Sequence, residues 1–569
     1  MSVILADSIS ILPDNIINKS PASLDQIIKV TAIIKRKSSV MTMEEHANAI
    51  LNGTNTNILS HKEFTDNYGS DQEHMNAVSN WASSFQIETI THDSSGAAVV
   101  LEGTIEKFNK LFNIQLLNID LGEGPYLSYE GSLYIDESLD GIILTVLGLH
   151  EPPLSFNHNI THYEADSEVI IESSAGTSAG LGSLTPMQVA RAYNFPYSDG
   201  TNACIGLIEY GGGYTTQNLT SSFSRIGLSN PEVVEVHIDG ITNNPSDPSA
   251  AEVMLDIYVA GAAAPKAKIV VYYGNASSFL GLYNLYNAVI NDTVNNPSVL
   301  SVSWTVEENN FNNVYGILVD NLLAAAVIKG ITIFAATGDT GSWYPVSTRA
   351  SSKIGWPAAN PNVIACGGTR LILNTDGTIN SEIVWNGRVS GGSAGGSTGG
   401  VSAIYPVPTW QTGLSTSQYP SNTVTPISGR SIPDVAGNGD PTSGYQFYYG
   451  DNNQLTQSGG TSSVCPLYAA LYARIISIVG KNQGFITDKL YAKSNQIFRD
   501  IVGGNGDYNN TGGWNATTGW DAVTGLGVAD GNALLTLATQ ATGRNGLTFP
   551  NIINKNRNRN GQTFPMSLN

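Results

Sequence analysis

The chain has 569 residues, 41% of them hydrophobic and 59 of them glycine, which is too long for one ordinary core and suits loop-rich globular domains rather than disorder. A net charge of −20 argues against a nucleic-acid partner, because phosphate binding needs clustered Lys and Arg; no run of about 18 apolar residues is present, so no membrane span is expected. Cys204, Cys366 and Cys465 are odd in number, widely spaced and set among apolar residues, so they read as buried free thiols rather than a disulfide framework or a zinc site.

Residues 1–165 read as one compact α+β unit. Its first fifteen residues lack a basic segment, and Asp7 and Asp14 interrupt the apolar stretch, so no secretory signal is expected there. Residues 30–36 and 97–101 are rich in β-branched and apolar residues and read as strands. Apolar spacing predicts helices over 42–52, 77–85 and 105–112. The polar, Ser/Gly-rich stretch up to residue 184, and above all 166–184, reads as an exposed cleavable linker.

Residues 185–543 have a different pattern. Short apolar runs at 205–208, 269–273, 299–304, 331–335 and 363–365 alternate with helical stretches at 252–263, 279–291 and 314–328. That alternation implies an α/β domain, a parallel sheet flanked by helices on both faces. Functional groups on such a sheet gather at the carboxyl ends of strands, which singles out Glu209, Trp304 and Asp339. Residues 544–569 are Asn-rich, carry two copies of an Asn-Gly-x-Thr-Phe-Pro hexapeptide, and read as a flexible tail.

The segment Ser458-Gly-Gly-Thr-Ser-Ser-Val-Cys-Pro466 precedes an apolar helix pattern at 467–479. Its glycines permit a tight turn, and Pro466 is tolerated in a first helical turn. Ser462 would then sit at a helix amino terminus, where developing negative charge is favoured. On its own the motif also fits a turn that merely caps a helix. A serine nucleophile needs a base, and after the linker the sequence offers only His237, in a strand-like run with no motif around it. The other candidates are Glu252 and Asp256, four apart on a helix with no Lys or Arg before Lys266. Two such acids repel when both are ionised, which raises one pKa and keeps a shared proton available. Asp339 lies in the Gly-rich turn Gly338-Asp-Thr-Gly341, where a protonated carboxyl could donate to an oxyanion, although a plain turn Asp is the commoner role.

Together these segments resemble the sedolisins, or serine-carboxyl peptidases, and among them the kumamolisin-like members with a long propeptide, over residues 25 to about 540. The resemblance implies a subtilisin-like catalytic domain preceded by an inhibitory, folding-assisting propeptide domain. It implies Ser462 as nucleophile, Glu252 as general base then acid, Asp256 orienting Glu252, and Asp339 with the Ser462 N–H at the oxyanion. Glu209, in Cys204-Ile-Gly-Leu-Ile-Glu209, and Trp304, in Ser301-Val-Ser-Trp304, would be outer supports of the network. Tyr258 stands where an acid is usual, and Thr340 replaces a common Ser. Phe498-Arg-Asp-Ile501 and 517–527 resemble a calcium site, with the side chains of Asp500 and Asp521 and the carbonyls of Ile501, Thr517 and Gly519 as ligands.

The expected activity is acid endopeptidase action, self-processing included; a tripeptide-releasing exopeptidase and a non-catalytic binding protein are the alternatives. Expected partners are protein or peptide substrates and the chain's own propeptide, acting as a monomer in an extracellular or acidic lumenal setting. Residues 1–175 hold 24 acids against 8 bases, a net of −16, and seven of the eight histidines, leaving −4 and His237 for the remainder. Acidification should therefore change the charge of the amino-terminal unit most, loosening its docking and exposing the linker.

Overall fold

The computed structural model describes residues 1–541 apart from 38, 40, 56, 123, 155, 158–181, 343–353 and 391–394. The linker, but for its last residues, and the hexapeptide tail lie outside the described residues, as do His158 and His162.

The amino-terminal unit is built on a four-stranded antiparallel sheet of β1 (Ile27–Ile34), β2 (Glu88–Asp93), β3 (Ala98–Thr104) and β4 (Ile143–Leu147), ordered β2-β3-β1-β4. Four helices pack on it: α1 (Met43–Leu51), α2 (His61–Tyr68), α3 (Gln72–Ser84) and α4 (Ile105–Phe112). The first two begin with reciprocal capping boxes, Thr42 with Glu45 and Ser60 with Glu63, which satisfy otherwise orphaned N–H groups. Helix α3 starts five residues before its predicted position, because Gln72–Asn76 has Met75 as its one apolar residue and so carries little periodicity.

The second unit carries an eight-stranded sheet. Seven strands are parallel: β5 (Cys204–Glu209), β6 (Val233–His237), β7 (Lys268–Tyr273), β8 (Val299–Val302), β9 (Thr332–Ala336), β10 (Ile364–Leu373) and β12 (Val435–Asn438). The eighth, β11 (Ile379–Val384), runs antiparallel to β10. The order is β6-β7-β5-β8-β9-β10, with β11 and β12 both on β10. Helices α5 (Ala250–Ala263) and α8 (Val464–Val479) share one core with one face of this sheet. Helices α6 (Phe279–Ile290) and α7 (Val314–Ile328) cover the other. Thr461–Val479 is long and apolar enough to cross a membrane by composition, but it lies mostly buried in this core.

The two units meet on the α6/α7 face. Ile33, Met43, Ala47, Ile50, Phe64 and Tyr68 share a core with residues of α6 and α7. The Leu59 N–H donates to the Ile328 carbonyl at 2.8 Å, Tyr283 Oη donates to the Gly96 carbonyl at 2.9 Å, and Asn287 donates to Asp93 at 2.6 Å. Lys329 lies over the Phe64 ring at 4.4 Å, and Glu151 accepts from the Leu280 N–H at 3.3 Å.

Two described histidines of the amino-terminal unit touch the second unit. His61 pairs with Asn296 at 3.3 Å, and His150 lies 6.4 Å from the Tyr315 ring. Burial, then the charge of Lys329, pushes His61 below its ordinary 6.5, and burial pushes His150 down. Their contribution to docking is therefore complete above 6.5 and is lost as pH falls through the lowered values. Glu151 acts oppositely: burial raises its pKa, so acid favours its docked form. In a chain carrying Ser462→Ala, changing His61 and His150 to Gln should move the midpoint of separation of the two units to lower pH. Hydrogen exchange at the Leu59 amide measures this, and an unmoved midpoint would place the pH response in other groups.

Candidate active site

The site gathers at the carboxyl ends of β5, β8 and β9, with α5 and α8 bringing in side chains from one face. Glu209 ends β5, Trp304 follows β8, and Asp339 follows β9 by three residues. Glu252 and Asp256 lie on α5, all of whose residues are buried. The pair is thus enclosed, not at the margin of a buried face as an amphipathic reading of the helix suggests. Ser462 is in the 3₁₀ turn Thr461–Ser463 that leads into α8.

The turn is shaped by Gly460. Its φ is +105°, and a Cβ there would lie 2.5 Å from Asp339 Oδ2. Both conditions demand glycine. The next residue fixes Asp339, because Thr461 donates its N–H and its hydroxyl to Asp339 Oδ1, each at 2.8 Å. Thr461 Oγ1 also accepts from the Gly338 N–H at 3.0 Å. Burial pushes Asp339 up to about 6 against these two hydrogen bonds.

Trp304 Nε1 donates to Glu209 Oε2 at 2.9 Å, and the indole stacks on Tyr210 with centroids 5.3 Å apart. Ser303 Oγ donates to Asp256 Oδ2 at 2.6 Å. Ser462 Oγ donates to the Ser303 carbonyl at 3.2 Å rather than to Glu252. Glu252 has no well-directed hydrogen bond, yet the Ser462 and Ser303 hydroxyls lie close enough to favour its charged form.

Glu209 Oε1, both Glu252 oxygens and Asp256 Oδ1 are buried without an N–H or hydroxyl partner. Burial first, then neighbouring carboxylates, drives Glu209, Glu252 and Asp256 well above the ordinary carboxyl range. Among the described residues the charges acting on these three are those of other carboxyls. Protons shared between the acids are one way to satisfy these oxygens. The cluster is therefore a proton-holding network beside a serine hydroxyl.

The four acids singled out for the catalytic network, Glu209, Glu252, Asp256 and Asp339, come together with Trp304 and Ser462 in this one place. Ser303 was not singled out; the signal for it was its position just beyond β8, next to Trp304. His237 lies on the edge strand β6, 3.1 Å from Glu235, and has no part in the cluster. Tyr258 is buried and packs on the rings of Phe223 and Phe447. All three cysteines are buried and free.

The amino-terminal unit also reaches the site. The two-residue strand Phe156–Asn157 pairs antiparallel with Thr305–Val306, Phe156 opposite Val306 and Asn157 opposite Thr305. The backbone thus advances toward Trp304 and Ser303 in its amino-to-carboxyl direction.

At the predicted calcium site, the Gly519 N–H donates to Asp500 Oδ2 at 2.7 Å and the Thr517 N–H to Asp521 Oδ2 at 3.0 Å. One loop is thereby tied to both carboxylates. Asp521 accepts further from the Val523 and Thr524 N–H groups, each at 2.9 Å, while Asp500 Oδ1 is buried with no partner. Burial pushes Asp521 up to about 7. Ile501 is the buried residue that follows Asp500.

Residues 14–151 match the family profile described as pro-kumamolisin, activation domain, and residues 240–489 match the subtilase family. Kumamolisin of Bacillus sp. (strain MN-32) is 36% identical over 500 residues, covering 87% of this chain and 88% of that protein. Sedolisin of Pseudomonas sp. (strain 101) is 26% identical over 434 residues, covering 72% of this chain and 70% of that one. The solved structure of Pseudomonas sedolisin, a serine-carboxyl proteinase complexed with two molecules of pseudo-iodotyrostatin, superposes with a TM-score of 0.54 at 27% identity. It covers 65% of this chain and 100% of that one.

The Gly460 geometry gives a direct check. Gly460→Ala should cost about 1–2 kcal/mol in backbone conformation alone, with more from the clash at Asp339. Thermal melting measures it, and an unchanged melting temperature would mean that the turn has another accessible conformation.

Proposed function

The chain belongs to the sedolisin family of serine-carboxyl peptidases and carries that family's activation domain, and on this premise we propose that it is an acid-acting endopeptidase made as a self-processing precursor. The carrying observation is the cluster of buried carboxyls around Ser462, with no histidine or cation among the described charges that act on it. In the proposed reaction Ser462 Oγ turns from the Ser303 carbonyl to Glu252, which takes its proton as the oxygen attacks the scissile carbonyl. Asp256 holds Glu252 through their shared proton. Asp339, protonated, and the Ser462 N–H bind the oxyanion. Glu252 then gives its proton to the leaving amine, and water hydrolyses the acyl-enzyme by the same path in reverse.

The backbone strand at Phe156–Asn157 supports endopeptidase action. It approaches the site with the whole amino-terminal unit upstream, as a long polypeptide substrate would. A tripeptidyl exopeptidase would need that side closed three residues from the scissile bond.

The test is incubation with a denatured protein at about pH 4, against Ser462→Ala. Internal fragments from the parent alone are the expected result. Tripeptides would support the exopeptidase, and cleavage that survives Ser462→Ala would overturn the mechanism. Asp339 acts in its protonated form, so activity should fall as pH rises through about 6. Full activity at about pH 8 would contradict its role.

The loop around Asp500 and Asp521 fits a calcium ion. Two carboxylates, with the backbone carbonyls of Ile501, Thr517 and Gly519, would supply the oxygen-rich set that calcium takes. The buried Asp500 oxygen without a protein donor is an acceptor that a hard cation would take. A bound ion would hold both carboxylates ionised and pin the loop, whose Trp520 Nε1 donates to the Pro433 carbonyl at 3.0 Å. Calcium should raise the melting temperature and a chelator lower it, with both responses lost in Asp500→Asn and Asp521→Asn. A melting temperature indifferent to calcium and chelator would remove the site.

A further inference from the structure

Ser303 is the residue at this site that the sequence does not announce. It lies between β8 and Trp304 and is 6% exposed. Its hydroxyl donates to Asp256 Oδ2 at 2.6 Å and also lies 3.2 Å from the Ser462 carbonyl. Its own carbonyl accepts from Ser462 Oγ at 3.2 Å. One residue therefore touches the acid pair through its side chain and the serine turn through both side chain and backbone.

The two acceptors compete for a single hydroxyl proton. A 2.6 Å contact to a carboxylate has the length of a charge-assisted O–H···O bond, whereas 3.2 Å is long for a neutral one. The proton thus belongs to Asp256. Among the described residues this is the neutral donor that Asp256 has, since its other oxygen is orphaned.

We infer that Ser303 is a positioning residue for the acid pair: its hydroxyl fixes Asp256, and through Asp256 the orientation of Glu252 toward Ser462. The inference rests on the mechanism proposed above and adds a residue to it. Ser303 touches no reacting atom in that mechanism. By donating to Asp256 it keeps this carboxyl an acceptor toward Glu252, so the shared proton passes to Asp256 as Glu252 takes the proton of Ser462. It also gives an outer–inner symmetry to the network, with the Trp304 N–H on Glu209 and the Ser303 hydroxyl on Asp256. Among the described residues, the other titratable groups facing the pair are Glu209 on β5, Asp339 beyond β9 and the Cys465 thiol on α8.

The experiment compares Ser303→Ala, Ser303→Thr and the parent by kcat and KM across the acid pH range, with thermal melting alongside. A hydrogen bond to a carboxylate favours its charged form, so losing it makes the pair harder to ionise. Ser303→Ala should lower kcat at least tenfold with KM nearly unchanged, and move the acid limb of the profile up by about one pH unit. Ser303→Thr retains the hydroxyl and should restore the limb to its parental position. An acid limb that stays in place in Ser303→Ala overturns the inference, whether or not kcat falls, because a purely structural role lowers activity without moving it. If Ser303→Ala does not fold, Ser303→Cys, of similar size and with a weak donor, should shift the limb in the same direction, and an unmoved limb there is equally decisive. Parental cleavage that persists in Ser462→Ala would instead condemn the mechanism on which the inference rests.

Discussion

Burial of carboxyl groups without a counter-cation is the constraint on which this structure turns. Taking an ionised carboxylate out of water costs several kcal/mol even after relaxation. The same chain shows how that cost is met elsewhere. Asp434 is as buried as Asp256, but Arg430 grips it with both guanidinium nitrogens, and the Ala365 N–H and Tyr491 hydroxyl complete its shell. Around Ser462 the described charges include no such arginine. Glu209, Glu252 and Asp256 are left with one another, a tryptophan and two serines. Among the described groups only protons neutralise such a cluster, and its raised pKa values let it keep them at a higher pH than ordinary carboxyls would. Linkage then ties the fold to the chemistry. Asp339, raised from 3.8 to about 6, contributes stability that is complete below 3.8 and is lost as pH rises through about 6. The pH range that holds the site together is also the range in which its proposed oxyanion donor carries a proton.

The sheet explains why the cluster can be so tightly drawn. Three adjacent parallel strands, β5, β8 and β9, end beside one another, so Glu209, Ser303, Trp304 and Asp339 come from neighbouring strand ends rather than from long loops. Helices α5 and α8 pack on a single face and lower Glu252, Asp256 and Ser462 onto that row. The activation domain docks on the opposite face, against α6 and α7. Its main contact is therefore remote from the reacting groups, and the short strand at Phe156–Asn157 is what it sends to the cleft. Docking and chemistry are separable physically: the first is governed by apolar burial and a few interface histidines, the second by shared protons.

Much of this was legible in the sequence, and what was not has physical causes. Helix α7 and helix α4 have their predicted bounds because their apolar spacing runs uninterrupted between clear breakers. Strand β10 extends to Leu373, well beyond the predicted three residues, because Gly367-Gly368 reads as a break while in the sheet it is a place of close approach to Pro433 and Trp385. Glu252 and Asp256 stood out because acids four apart on a helix without basic residues are unusual. Their complete burial did not, since an i,i+4 pair of acids is ordinarily a surface feature. Ser303 was invisible for the opposite reason. Serine is common, and its importance here comes wholly from what β8 places beside it. The histidine census was informative in aggregate but not in detail. His92 bonds to Gln72 and Ser79 within its own unit, whereas His61 and His150 face the second unit.

Among the described residues no histidine enters the site, and this has a chemical logic of its own. An imidazole with an ordinary pKa near 6.5 is more than 99% protonated at about pH 4 and cannot accept a proton from serine. A carboxylate can, provided its neighbours let it ionise while the surrounding acids remain protonated. That is a question of how many protons the network holds and which oxygens keep them. Neutral donors at chosen oxygens, the Trp304 N–H on Glu209 and the Ser303 hydroxyl on Asp256, decide the second part without adding charge. The oxyanion side follows the same logic. A backbone N–H donates at any pH, but a carboxylic acid such as Asp339 donates only below its pKa. Replacing the base by histidine while keeping Asp339 would pair a base that works above its pKa near 6.5 with an acid that works below about 6, and the two would overlap only in part. The carboxyl base and the carboxyl oxyanion donor therefore belong together, and each accounts for the other.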